Sequence, residues 1–271
     1  MRGLFPLLFL LGCTELPDEA TAPPEPVGAP ADSAADLSSF FPEGTEGTFV
    51  LYDAQGGVTT RHNPERAAER VIPASTFKIF NSLVVLDAGA VADEHEVVAW
   101  DGAERAVPGW NASQDLETAF ARSSVWVYRD LARRAGRGTL QAALDREGYG
   151  NATIGDQADL FWLDGSLRIA PNEQIDFLRR LRAGETGFSD RAEAIVSRIM
   201  VVDTTGEAVL RGKTGWARSD SLNLGWWVGW LERADDAYFF ALLVESEDPD
   251  FDMVGARRPT ADRILRHLGI R

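Results

Sequence analysis

Ser75 and Lys78 stand three residues apart at the beginning of an apolar stretch that is predicted to be helical. Positions i and i+3 share one face of a helix, so the serine hydroxyl and the lysine amine are expected to be within reach of each other. Serine is a weak nucleophile unless a base takes its proton, and an amine can be that base only if burial lowers its pKa. The pair therefore predicts a serine nucleophile with a buried lysine as its base.

Lysine is otherwise almost absent from the chain. Of the 27 basic residues only Lys78 and Lys213 are lysines, and the rest are arginines. Arginine cannot be deprotonated in a protein, whereas a buried lysine can. Codon bias that left two lysines by chance is the alternative. It does not account for their positions, since Lys78 lies in S-T-F-K and Lys213 opens K-T-G. We therefore expect both lysines to be functional.

The bulk properties are those of an acidic globular protein with one large or two small domains. The chain has 271 residues, of which 45% are hydrophobic, which is enough for a sizeable core. A net charge of -15 argues against nucleic acids and anionic membrane surfaces as partners. Cys13 is the sole cysteine, and the three histidines are isolated from one another in the sequence. We therefore expect no internal disulfide and no metal site.

Residues 1–13 resemble an export signal. A Met-Arg pair precedes an apolar run that is too short to span a bilayer. Leu-Leu-Gly-Cys at 10–13 resembles the lipobox of bacterial lipoproteins, in which Cys13 would be lipidated. An ordinary signal peptide cut slightly later, or a misassigned start, is the alternative. Residues 14–36, rich in Pro, Ala and acidic residues, are predicted to be a disordered tether. We expect an exported, periplasmic protein, anchored to the membrane only if Cys13 carries a lipid.

The two motifs lie in a predicted pattern of strands, helices and again strands. Strands are predicted at residues 47–53, 58–61, 207–216, 224–231 and 238–245. Helices are predicted at residues 75–89, 115–135, 139–147, 172–183, 190–200 and 259–268. This order indicates an α+β fold over residues 37–271, in which strands from both chain ends form one central antiparallel sheet, flanked by helices and a helical subdomain.

Four further motifs follow S-T-F-K in the sequence. They are Ser123-Ser124-Val125, Tyr149-Gly150-Asn151, Phe161-Trp162-Leu163-Asp164-Gly165 and Lys213-Thr214-Gly215. In this order, and at roughly these spacings, the chain resembles the class D (oxacillinase-type) serine β-lactamases over nearly all of residues 40–271. S-x-x-K and K-T-G are shared with penicillin-binding proteins, whereas Y-G-N and the tryptophan loop are typical of class D. The resemblance implies a β-lactamase/transpeptidase-like fold and the hydrolysis of β-lactam antibiotics.

The resemblance also implies roles for the residues that carry out the reaction. Ser75 would be the nucleophile that becomes acylated. Lys78 would react with CO2 to give a carbamate (N6-carboxylysine) that serves as general base, with Trp162 as a hydrogen-bond donor to it and Val125 as a wall of its pocket. Ser123 would relay a proton to the leaving ring nitrogen. CO2 or bicarbonate is the only small molecule that the enzyme is expected to need besides its substrate.

A second set of residues would bind the substrate. The backbone N–H groups of Ser75 and Trp216 would form the oxyanion hole, and Gly215 would let the backbone approach the substrate closely. The substrate carboxylate would meet Lys213, Thr214 and Arg257, with Arg258 as the alternative to Arg257. Ser219-Asp220-Ser221 follows K-T-G and is predicted to be a turn.

Three alternatives use the same scaffold. A β-lactam sensor domain carries the same serine and lysine but does not turn over. Such sensors follow several membrane-spanning helices and a protease domain, which the sequence does not show, so we expect an enzyme. A penicillin-binding transpeptidase or carboxypeptidase is disfavoured by the tryptophan loop and the short single-domain body, and a lipoprotein that only binds is disfavoured by the two retained lysines. The preferred β-lactam and a homodimer are left open.

Overall fold

The computed structural model describes residues 31–219, 222–234 and 236–271. The predicted export signal with Cys13, most of the predicted tether, and Asp220 and Ser221 of the predicted turn lie outside this range. The described end of the tether is ordered: it forms strand β1 (Ala31–Ala34), which pairs in parallel with β3 (Val58–His62). The ordered domain therefore begins before residue 37, and the tether is shorter than predicted.

A seven-stranded sheet in the order β1-β3-β2-β7-β6-β5-β4 forms the centre of the described residues. The other strands are β2 (Glu46–Asp53), β4 (Val201–Thr205), β5 (Ala208–Ser219), β6 (Leu222–Arg233) and β7 (Asp236–Ser246). β2 pairs antiparallel with β7, from Glu46 opposite Glu245 to Asp53 opposite Tyr238. The predicted α+β fold, with one sheet built from both chain ends, is confirmed.

Helices pack against both faces of this sheet. They are α1 (Pro64–Ala68), α2 (Lys78–Asp87), α3 (Leu116–Ala121), α4 (Val125–Ala135), α5 (Arg137–Glu147), α6 (Pro171–Ala183), α7 (Asp190–Ile199) and α8 (Met253–His267), with 3-10 helices at Ser38–Phe40, Ala74–Phe77 and Pro108–Trp110. Neighbouring residues of β6 point to opposite faces. Trp226 joins the large core around α2, whereas Trp227 joins the smaller core under α8. Within the described residues, no helix has the length and hydropathy needed to cross a bilayer.

Three local differences from the sequence prediction concern the surroundings of the site. The helical pattern at 115–135 is two helices, because Ser123 adopts the left-handed region (φ 56°), which a continuous helix does not allow. α8 begins at Met253 rather than at Pro259, since the Asp252 side chain accepts a hydrogen bond from Gly255 N and caps the helix six residues earlier. Strand β4 was not predicted.

Candidate active site

Ser75 and Lys78 lie at the junction of two helical segments. The predicted single helix at 75–89 is a 3-10 helix, Ala74–Phe77, followed by α2, which begins at Lys78. In a 3-10 helix side chains at i and i+3 eclipse each other, which brings the two residues closer than an α-helix would. Lys78 Nζ donates a hydrogen bond to Ser75 Oγ at 2.8 Å. The structure therefore places a base within direct reach of the hydroxyl.

Burial brings the pKa of Lys78 close to neutral pH. Its side chain is 0% exposed, and its Nζ lies 5.2 Å from the centre of the Tyr128 ring. Taking the charged amine out of water lowers the pKa of Lys78 from 10.5 to about 7. A substantial fraction of the amine is therefore neutral at physiological pH.

Hydrogen bonds on both sides hold the motif in place. Ser82 Oγ donates to Lys78 O at 2.7 Å and lies 2.8 Å from Tyr128 Oη. On the other side, Gln174 Nε2 donates to Thr76 Oγ1 at 2.9 Å. The sequence analysis did not single out Ser82, Tyr128 or Gln174. Ser82 could have been found, because it lies one turn after Lys78, but the other two come from distant helices.

Trp162 presents an unpaired hydrogen-bond donor in the same core. Its side chain is 0% exposed and stacks on Phe77, the neighbour of Lys78, with ring centroids 5.3 Å apart. Among the described residues no acceptor is bonded to its Nε1. Buried N–H groups are nearly always paired. A carbamate on Lys78 would supply carboxylate oxygens as acceptors and needs the neutral amine that burial provides, so a buried, unpaired donor in the same core fits that group.

Strand β5 forms the opposite wall of the site. β4 pairs with one edge of β5 only as far as Arg211. From Gly212 onwards no described strand pairs with that edge of β5. A Cβ at Gly215 would lie only 2.9 Å from Pro73 O, so the strand can approach the helix of Ser75 this closely only with glycine here. Lys213, buried on the same strand, has a pKa well below its ordinary value because of burial and then the nearby charge of Lys78.

The structure distinguishes the two candidate arginines of α8. Arg257 Nη1 donates to Gly215 O at 2.7 Å, which places the guanidinium beside the K-T-G motif. Burial, and then the charge of Arg258, lower the pKa of Arg257 to about 10, so it remains cationic. Arg258 instead lies over the Trp227 ring at 4.5 Å, against the core under α8. Arg257 is therefore the arginine that the structure brings to the site.

The remaining predicted site residues lie on β5, at the start of α4, which packs against α2, and in the turn before α4. Ser123 is half-buried in the turn between α3 and α4, and its neighbour Ser124 is the residue that precedes the first turn of α4. Val125 opens α4, the helix that also carries Tyr128. Thr214 is half-buried on β5, while the Trp216 side chain is 43% exposed. The described residues contain no cluster of histidine, cysteine or acidic side chains suited to a metal ion.

Several known proteins are similar to this chain in sequence and in fold. The family model of the penicillin binding protein transpeptidase domain matches residues 47–266. Beta-lactamase OXA-48 of Klebsiella pneumoniae is 39% identical over 82% of this chain and 83% of its own. A class D β-lactamase from Nostoc has 40% identity and a TM-score of 0.83, covering 87% of this chain and 99% of that chain. The C-terminal domain of the Bacillus licheniformis BlaR penicillin-receptor has 31% identity and a TM-score of 0.85 over 90% and 99%. The chain belongs to the class D serine β-lactamases.

Proposed function

We propose that this β-lactamase works through an acyl-enzyme on Ser75, with Lys78, carbamylated by CO2, as the general base. One observation carries the proposal: a fully buried amine with a pKa of about 7 lies 2.8 Å from the serine hydroxyl. A catalytic base is most effective when its pKa is near the working pH. The same neutral amine is also what reaction with CO2 requires.

In the acylation step, Ser75 Oγ gives its proton to the base at Lys78 and attacks the β-lactam carbonyl carbon. The backbone N–H groups of Ser75 and Trp216 hold the oxyanion, an interaction whose loss typically costs about 2.7–4 kcal/mol. The C–N bond of the ring then breaks, and Ser123 passes a proton to the ring nitrogen. The left-handed backbone at Ser123 (φ 56°) supports this role, because it sets the residue apart from both helices.

In the deacylation step, the same base takes a proton from a water molecule, which attacks the ester carbonyl and restores Ser75. A carbamate at Lys78 would supply a carboxylate as proton acceptor in place of the amine. Trp162 Nε1, which has no acceptor among the described residues, would donate to it and hold its orientation. Val125 would help to keep this pocket dry.

The substrate carboxylate would be bound by the cations of the opposite wall. The charge of Arg257 is one of the causes that lower the pKa of Lys213, because the two positive charges repel each other. An anion placed between them removes that repulsion and is held by charge-assisted hydrogen bonds. The Thr214 hydroxyl would complete this binding set.

The second candidate is a receptor that is acylated but does not turn over. The likeness to the BlaR penicillin-receptor domain favours it, since its TM-score of 0.85 exceeds the 0.83 of the Nostoc enzyme. The two functions differ only after acylation. The lifetime of the acyl-enzyme therefore distinguishes them.

Mass spectrometry after treatment with a penicillin tests the proposal. We expect a transient adduct on Ser75 in the wild type, faster turnover with added bicarbonate, and a long-lived adduct in Lys78→Ala. A wild-type adduct that persists for hours would show that the protein is a receptor and not an enzyme. No adduct on Ser75 would contradict both functions.

We also propose that the protein acts in the periplasm, exported by residues 1–13 and held at the membrane by lipid on Cys13. The support is the lipobox-like sequence alone. Membrane fractionation of cells that express wild type or Cys13→Ser tests it: only the wild type should sediment with membranes. Equal solubility of both would rule out the lipid anchor.

A further inference from the structure

A groove of about 490 Å³ adjoins the candidate active site at the end of β5. Val71 and Ile72 line it on one side, the loop after Trp162 on another, and strand residues 216–219 on the third. Lys213 lies earlier on this strand than Trp216, whose N–H would bind the oxyanion. A β-lactam whose carboxylate lies at Lys213 therefore directs its acylamino side chain past Trp216 and into the groove.

Two arginines contribute to the lining of this groove. Arg168 and Arg218 both line it, together with a single carboxylate, that of Asp164. Arg168 donates to Gly165 O at 3.2 Å. Arg218 contacts Asp250 at 2.9 Å, but the Asp250 side chain is 86% exposed, so this pair stabilises little and Arg218 can turn to another anion. Asp250 is not among the residues that line the groove, so the lining itself carries two cations and one carboxylate in a chain with a net charge of -15.

We propose that the groove is a subsite for β-lactams whose acyl side chain carries a carboxylate, with Arg168 and Arg218 as its specificity-determining residues. The inference rests on the proposed function, because it assumes that Ser75 is acylated by the substrate. Val71, Ile72 and Leu163 offer apolar contacts to an aromatic ring on that side chain. The guanidinium groups offer paired N–H donors, which match the geometry of a carboxylate.

Carbenicillin and benzylpenicillin test the subsite, since they differ only in a carboxylate on the side-chain carbon. The measured quantity is the ratio of their second-order rate constants for acylation of Ser75, obtained by competition with a chromogenic cephalosporin. We expect Arg168→Gln/Arg218→Gln to lower the carbenicillin-to-benzylpenicillin ratio by about fivefold, the upper range for exposed ion pairs. Raising the ionic strength from about 0.1 M to about 1 M should lower the wild-type ratio in the same direction.

Two single variants complete the design. Asp164→Asn should raise the ratio, because it removes the carboxylate that repels the substrate and keeps an acceptor for the backbone N–H of Ser166. Arg266→Gln, which removes one exposed positive charge near the end of α8, should leave it unchanged. A ratio that is the same in the wild type and the double variant, with normal acylation by benzylpenicillin, would overturn the subsite and leave the proposed function intact. Absence of acylation by either compound would overturn the proposed function itself.

Discussion

Replacing Lys78 with methionine should stabilise the folded protein while it abolishes turnover. Lys78 is fully buried, and its pKa is lowered from 10.5 to about 7. At about 1.4 kcal/mol for each pH unit, this gap means that burying the protonated amine costs the fold about 5 kcal/mol. Methionine has a similar length and no charge, so the variant should be free of that cost.

The expected gain depends on pH. Between about pH 7 and pH 10.5 the amine is protonated in the unfolded chain but neutral in the folded one, so the unfolded state holds more protons and wild-type stability rises with pH. Below about pH 7 both states are protonated, and the whole cost remains. We therefore expect Lys78→Met to be more stable by about 5 kcal/mol near pH 6, and this advantage to shrink by about 1.4 kcal/mol for each pH unit above pH 7.

Guanidinium chloride denaturation in CO2-free buffer, followed by tryptophan fluorescence, measures these free energies. Leu83→Met is the matched control: it lies on the same helix, is equally buried, and should change stability by less than about 1.5 kcal/mol at every pH. Bicarbonate should stabilise only the wild type, because a ligand that binds the native lysine shifts the folding equilibrium. Equal stability of wild type and Lys78→Met near pH 6, or a difference that does not vary with pH, would refute the reasoning.

Four further substitutions test other parts of the site. Gly215→Ala would place a Cβ 2.9 Å from Pro73 O and should therefore displace β5. We expect acylation, measured by stopped flow, to slow by about 10²-fold. An unchanged rate would show that the strand can shift without cost to the reaction. Trp162→Phe keeps an aromatic ring but removes the indole N–H, so the bicarbonate concentration for half-maximal turnover should rise about tenfold or more. No rise would exclude the indole as a donor to the carbamate. Arg257→Ala should raise KM for a penicillin by about tenfold or more, whereas Arg258→Ala should change it little. A large rise in KM for Arg258→Ala alone would show that Arg258, and not Arg257, binds the substrate carboxylate.

The sequence predicted those parts of the structure that depend on local pattern. Continuous apolar runs in β2 and β7 were enough to place both strands, because a central strand of a sheet covered on both faces buries the side chains of both. The contact of Ser75 with Lys78 followed from their spacing. β1 and β4 escaped prediction, because each is a short strand at the edge of the sheet, and residues 201–205 are mostly exposed.

The rest of the site depends on distant parts of the chain that only the fold brings together. Arg257 and Arg258 are equivalent in sequence, and the direction of α8 across β6 decides which one reaches Gly215. The Tyr128 ring beside Lys78 and the Gln174 amide that bonds Thr76 likewise come from α4 and α6. No local pattern reports such contacts.

The pairing of β2 with β7 also determines when the protein can fold. Glu46 pairs with Glu245, so the middle of the sheet joins segments from opposite ends of the chain. On the ribosome β2 has no second neighbour until β7 has been made, and its open edge invites pairing with other chains. Contacts over such sequence distances are slow to form. A chain that stops before Asp236 would lack the strand that joins the two halves of the sheet, so release of the finished chain, rather than synthesis of its first half, should set the start of folding.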